Sequence, residues 1–263
     1  MSKRKTDRHP LATRRSTEEG AARIFYIFIL SSMIFALTVL PIRVILDQSF
    51  REKQEYRLVL FQLIAGVAFL RLPRLLARVI GINLSDGLYI AYMLFIWGAI
   101  FLGEFAFLYY RISVWDTVMH IYSAVLLSLL GLSLPRLFTG ERISPALTAL
   151  LSLGFAVLVG VLWEIYEFSF DGILGLNMQK FAYPAGGGQK LLPFVGREAL
   201  VDTMIDLVVD LISACAVSVW AYIYIKRKGD LPKKLVLTRA VAKNYPEEEQ
   251  KDCKKTNDQA HQP

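Results

Sequence analysis

The sequence predicts an all-α polytopic membrane protein, a bundle of about six transmembrane helices with both termini in the cytoplasm. Three observations predict it. The 263 residues are 54% hydrophobic with a mean hydropathy of +0.41, yet they include 30 Lys and Arg, so apolar and charged residues must be separated into blocks. The charge lies at the ends: residues 1–23 hold 7 basic and 3 acidic side chains, residues 226–263 hold 10 and 6, and the body keeps 13 and 14. Each apolar block approaches the roughly 20 helical residues that a bilayer core requires. A soluble domain and a nucleic-acid reader with a folded basic face are thereby disfavoured. So is a disulfide scaffold, because Cys215 lies in an apolar run and Cys253 in a polar tail. The expected partners are membrane lipids, with no nucleic acid.

The chain divides into a basic cytoplasmic N-tail (1–23), a six-helix transmembrane domain (24–225) with an external loop (171–198), and a polar, disordered cytoplasmic C-tail (226–263). The first span, Ile24 to Leu46, is expected to stay as an anchor: its apolar core is too long for a signal peptide and no small-x-small cleavage site follows. In the second, Tyr56 to Leu72, the apolar half is followed by Arg71, Arg74 and Arg78, which share one helix face and read as a basic interfacial stripe. Leu84 to Tyr109, Ser113 to Leu134, Pro145 to Phe170 and Ala199 to Ile225 complete the set. With the amino terminus inside, alternate loops place 22 basic residues in the cytoplasm and 8 outside, the bias that sets orientation. Trp220, Tyr222 and Tyr224 before Lys226, Arg227 and Lys228 form an inner aromatic and basic collar, and Trp115 and Trp163 an outer belt. Gly186, Gly187 and Gly188 lack the Gly-Lys-Ser/Thr ending of a phosphate loop and read as a connector. A short amphipathic stretch is expected from Leu231 to Ala242. No internal repeat of the transporter kind is seen.

The anomaly is acidic. Glu104, Asp116, Glu164, Glu167, Asp171, Asp202, Asp206 and Asp210, with His120, lie inside or at the edges of spans. An ionised carboxylate at the bilayer centre costs about 2.5–3.5 kcal/mol on insertion scales, so such residues demand a partner or a purpose. Asp116 and His120 are four apart; Glu164, Glu167 and Asp171 are three and four apart; Asp202, Asp206 and Asp210 are four and four apart. Each set therefore shares one helix face. The alternation of spans puts every set in the outer half of the membrane, which argues for one shared outward-facing site.

Plainer readings exist for some members. Ser113 and Asp116 fit a capping box, and Asp202 fits a first-turn acid. Asp206 and Asp210 lie too deep for that, and Glu164 and Glu167 lie near a helix C-terminus, where the dipole disfavours negative charge. With only Arg111 and Arg197 near the outer ends, either several carboxylates are protonated or cations are bound. Oxygen ligands with one imidazole suit a hard divalent ion, Mg²⁺, Mn²⁺ or Ca²⁺, ahead of Zn²⁺. Asp116, His120, Glu164, Glu167, Asp202 and Asp206 are the candidate ligands. Glu104, Asp171 and Asp210 stay open.

Trp115-Asp116-x-x-x-His120, Trp163-Glu164-x-x-Glu167 and Asp202-Thr203-x-x-Asp206 resemble motifs of the uncharacterised bacterial inner-membrane proteins of the YjdF type, from the third span to the sixth. There is a fainter similarity to VanZ-like membrane proteins. The sequence departs from the YjdF-type pattern where Asp210, Ser213 and Ala214 stand in place of Asn and Gly-Ala. The resemblance implies a multi-pass protein of the bacterial cytoplasmic membrane and names no reaction.

Three functions fit. The first is a metal-dependent enzyme acting on a lipid or lipid-linked substrate, with Glu164, Glu167 or His120 as general base and Arg197 holding an anionic head group. The second is a cation or proton pathway. It requires a polar continuation into the inner half, where the sixth span reads Leu211, Ile212 and Val217. The third is a structural polar or metal clasp in a non-catalytic envelope protein.

Overall fold

The computed structural model describes residues 10–46, 56–139, 143–183 and 192–239. Helix α1 runs from Pro10 to Leu46, α2 from Tyr56 to Phe69 and α3 from Leu72 to Val79. Helix α4 runs from Asp86 to Ile96 and continues as a π-helical stretch, Trp97–Phe105. The short α5 (Leu108–Arg111) leads into α6 (Trp115–Gly131), then α7 (Leu134–Thr139), α8 (Pro145–Leu174) and α9 (Val201–Lys228), the last entered through a 3₁₀ turn, Gly196–Leu200. Strands β1 (Ile82–Asn83), β2 (Ala182–Tyr183), β3 (Leu192–Pro193) and β4 (Thr238–Arg239) form two antiparallel pairs, β1 with β4 and β2 with β3.

Local chemistry sets several of these boundaries. Ser85 and Ser144 accept hydrogen bonds from Leu88 N (3.4 Å) and Leu147 N (3.2 Å), capping α4 and α8, and Pro145 opens α8 where its missing N–H costs nothing. Gly175 (φ 69°) and Gly229 (φ 80°) end α8 and α9 in the left-handed conformation that glycine adopts without strain. The expected capping box at Ser113 does not form: Val114 is the N-cap of α6 and no side chain caps it. Asp116 therefore lies in the first turn with its carboxylate free for another role.

Among the described residues, five helical stretches are long and apolar enough to cross a bilayer: Gly20–Leu46, Asp86–Phe105, Trp115–Thr139, Pro145–Leu174 and Gly196–Lys228. A bent pair, Leu58–Phe69 and Leu72–Val79, meeting at 41°, makes a sixth when counted as one broken span. The bend falls at Leu70–Arg71, beside Pro73, so the basic stripe lies on a separate short helix. The N-terminal helix starts earlier than expected, at Pro10 instead of Ile24. The described part of the expected amphipathic stretch from Leu231 to Ala242 forms a 3₁₀ turn (Lys233–Leu235) and strand β4, and residues 240–242 lie outside the described residues. It is fastened to the bundle: Ser85 Oγ donates to Lys234 O, Leu237 N donates to Ser133 Oγ (2.9 Å), and Arg136 pairs with Asp230 (3.3 Å). The triple glycine, and the tail beyond Arg239, lie outside the described residues.

Two groups of helices build the bundle. Helices α1, α2 and α4 bury large apolar side chains in two clusters, Ala36, Leu40, Val59, Leu63 and Phe105, and Ile29, Met33, Leu70, Met93 and Ile96. Helices α6, α8 and α9 bury small and polar residues, among them Ala124, Ser128 and Gly131, Ser152, Ala156 and Gly160, and Ala214, Ser218 and Ala221. Small residues let backbones approach closely inside a bilayer. A Cβ on Gly131 would come within 3.0 Å of Ser152 Cα, and Ser152 Oγ donates to Ser128 O at 2.7 Å. Tyr122 joins the groups, donating to Ala91 O (2.9 Å) and stacking on Phe95.

Candidate functional site

The second helix group carries the acids at one end. His120, on α6, is 7% exposed and lies among carboxylates from two other helices. Its Nδ1 is 3.3 Å from Asp210 Oδ1, and its Nε2 is 3.8 Å from Asp206 Oδ2 and 4.0 Å from Glu164 Oε1. With the proton on Nδ1 and donated to Asp210, the Nε2 lone pair faces Asp206 and Glu164. Asp116, His120 and Asp206 each offer a ligand atom, and the three atoms lie within 4.8 Å of one another. That spacing suits one ion bound by two carboxylates and an imidazole. A histidine whose second nitrogen is held by a carboxylate is the usual arrangement behind a metal-binding imidazole.

Backbone shape makes room for Asp210. Gly160 of α8 faces it so closely that any Cβ there would collide with the Asp210 carboxylate. Glu164, one turn further along α8, is 5% exposed and neither oxygen has a hydrogen-bond partner among the described residues. A buried carboxylate in that state carries a large desolvation cost that a cation or a proton would relieve.

The remaining acids on these faces have other partners. Trp163 Nε1 donates to Glu167 Oε1 at 2.9 Å, so this tryptophan of the expected outer belt also holds a site carboxylate. Asp171 accepts from Met178 N (2.7 Å) and Gln179 N (2.9 Å), fixing the segment after α8. Glu104, in the π-helical stretch, accepts from Gln62 Nε2 of α2 at 3.2 Å. Arg197 is exposed on the 3₁₀ turn before α9.

A cation counted in the sequence only as a loop charge proves central. Lys180 Nζ pairs with Asp116 Oδ2 and is 3.4 Å from Asp202 Oδ1. Its backbone is left-handed, φ 47°, an unfavourable conformation for lysine. The turn around it is clasped from both sides: Asn177 Nδ2 donates to Ala182 O (2.7 Å), Ala182 N donates to Asn177 Oδ1 (3.1 Å), and Gln179 Nε2 donates to Thr203 Oγ1 (2.9 Å). Burial opposes the lysine charge, but the Asp116 carboxylate, with Asp202 and Asp206, outweighs it and holds the ammonium above its usual range. Tyr109, another residue the sequence left unmarked, packs its ring against the bare backbone of Gly103. Burial, then the Glu104 and Asp116 carboxylates, pushes its hydroxyl well above the ordinary phenol range, so it stays a neutral donor.

Thus Asp116, His120 and Asp206 come together with Glu164 beside them, Asp210 joins them through His120, Asp202 is linked through Lys180, and Glu167 borders the group through Trp163. Asp116, His120 and Asp206 are the residues that could hold a metal ion, with the buried Glu164 carboxylate beside them. No curated protein and no solved structure matches the chain. Residues 25–227 of the 263 match the model of a family described as a predicted membrane protein, DUF2238, whose function is unknown, and the chain belongs to that family.

Proposed function

We propose that this is a metal-dependent enzyme of the bacterial cytoplasmic membrane, acting on a lipid or lipid-linked substrate at an outward-facing site, with both termini in the cytoplasm. The observation that carries the reading is the convergence of Asp116, His120 and Asp206 beside the buried Glu164, whose oxygens accept no hydrogen bond among the described residues. The three would ligate Mg²⁺, Mn²⁺ or Ca²⁺, with Zn²⁺ less suited to a single imidazole. The ion would polarise a phosphoryl or carbonyl oxygen or activate water. Glu164 is then the general base, since His120 is committed to the ion and Glu167 to Trp163. Arg197, exposed on the turn before α9, is the cation offered to an anionic head group, while Lys180 is paired with Asp116 and Asp202. Kinship with the YjdF-type proteins, and the fainter one with VanZ-like proteins, belong to this proposal.

Elemental analysis of the purified protein, with thermal unfolding before and after chelation, tests it. About one divalent ion per chain and a chelator-induced drop in Tm are expected. No bound ion together with an unchanged Tm would remove the basis of the reading.

One observation favours a cation or proton path as a second reading. Leu211 and Ile212 of α9 point outward, 45% and 63% exposed, while the buried face below Asp210 continues through Ala214 and Ser218. The hydroxyls of Ser218 and of Ser128 on α6 are buried without hydrogen-bond partners among the described residues. The inner half is therefore less apolar than its sequence suggests. Proton flux into liposomes that depends on Ser218 and Asp210 would favour this reading over the enzyme.

A further inference from the structure

At the opposite end of the bundle lies a different charged feature. Helix α4 starts there at Asp86, and Glu104 in its π-helical continuation lies on the order of 25 Å away. A cavity of about 440 Å³ opens between three helices, lined by Arg23 and Tyr26 of α1, Arg74 of α3, and Asp86 and Tyr89 of α4. The Arg74 guanidinium lies over the Tyr26 ring, 4.2 Å from its centroid. Stacking uses the flat face of the guanidinium and leaves its N–H edge for a paired acceptor such as a phosphate. Beside it, the Tyr89 hydroxyl is buried against the Arg74 guanidinium without a well-formed hydrogen bond among the described residues, so an anionic oxygen held by Arg74 could also accept from it.

Two arginines against one aspartate leave the lining with a single positive charge. That balance suits a singly charged phosphodiester better than a dianionic phosphate. The surroundings suit a lipid better than a free ion. Leu75, Val79 and Ile80 are 54%, 71% and 56% exposed on or just after α3, which also carries exposed Arg78, and a short basic amphipathic helix of this kind lies along the headgroup and acyl boundary.

The geometry points to a binding site for the phosphodiester headgroup of an anionic membrane phospholipid in the Arg23–Arg74–Tyr89 cavity. Its acyl chains lie along the apolar side of α3. The site is independent of the acid cluster and of any metal held there.

The test uses the full chain, purified in detergent and stripped of lipid, with binding read by native mass spectrometry and by Tm. Phosphatidylglycerol should bind and raise Tm, and phosphatidylcholine should bind more weakly. Arg74→Gln and Arg23→Gln should each weaken phosphatidylglycerol binding about five- to tenfold. Arg78→Gln, on the same short helix but outside the lining, should leave it unchanged. Tyr89→Phe, which removes only the hydroxyl, should weaken it a few-fold and supports the site even if Arg74→Gln fails to fold. Equal losses from Arg78→Gln and Arg23→Gln would overturn the proposal in favour of a diffuse basic surface. Stabilisation by inorganic phosphate equal to that by phosphatidylglycerol would overturn it in favour of a free anion.

Discussion

Helices α1, α2 and α4 are held by large interlocking apolar side chains, whereas α6, α8 and α9 are held by small residues that bring backbones together around buried polar groups. In water both would count as burial. In a bilayer, lipid tails are as apolar as leucine, so the first group gains from shape complementarity and dispersion, and the second from close approach and polar contacts. The difference teaches where function can be built: the group with a closely packed polar interior is the one able to hold charge.

Substitutions can break that comparison in order of expected size. Leu63 is fully buried in the first group, and Leu63→Ala should cost about 2–5 kcal/mol of stability while leaving divalent-ion content per folded chain unchanged. Loss of the ion from folded Leu63→Ala protein would show that the groups are not separable. In the second group, Gly160→Val should cost about 1–3 kcal/mol through the collision with Asp210. Gly154→Val on the same helix, where an added Cβ meets open space, should be near neutral. Equal Tm changes for the two would contradict the packing described at Asp210.

Finer changes separate the members of the site. Asp210→Asn should preserve the fold and weaken metal affinity about 10- to 100-fold by loosening His120, measured by isothermal titration with Mn²⁺. Lys180→Met should act in the opposite direction, raising affinity about fivefold, because it removes a half-exposed positive charge from Asp116. The smallest effect is on alkaline stability. Lys180 is held above its usual 10.5, so its pairing stabilises the fold below that pH and is lost as pH rises through the higher folded value. The Tm of wild type should therefore fall more than that of Lys180→Met between about pH 10 and 12; parallel curves would mean that the ion pair contributes nothing to the fold.

The sequence carried the faces of the site but not the division of labour on them. Spacings of three and four correctly put Glu164, Glu167 and Asp171 on one side of α8, yet these face His120, Trp163 and the following turn respectively. Each step along a helix moves about 1.5 Å along its axis, so one face passes several neighbours. The same holds for Asp202, Asp206 and Asp210, which meet Lys180 and the two nitrogens of His120. Lys180 was not legible because no helical period reaches a residue in an irregular turn; its position depends on Asp171 and Asn177 clasping backbone groups. Span two is expected to end at Leu72, and the 41° bend between Leu58–Phe69 and Leu72–Val79 falls at that boundary, where the apolar run gives way to arginines. Beyond Asp210 on α9, Leu211 and Ile212 point outward while Ala214 and Ser218 line the buried face, a distinction that apolar composition does not carry.

The pairing of β1 with β4 joins Ile82–Asn83 to Thr238–Arg239. A ribosome delivers these partners at opposite times: the first emerges after two hydrophobic segments, the second after all of them. The hairpin-like seam can close only once synthesis has passed residue 239, so the early helices wait in the bilayer with an open edge. Reporter fusions that stop short of this point would sample an assembly whose final latch has not been made.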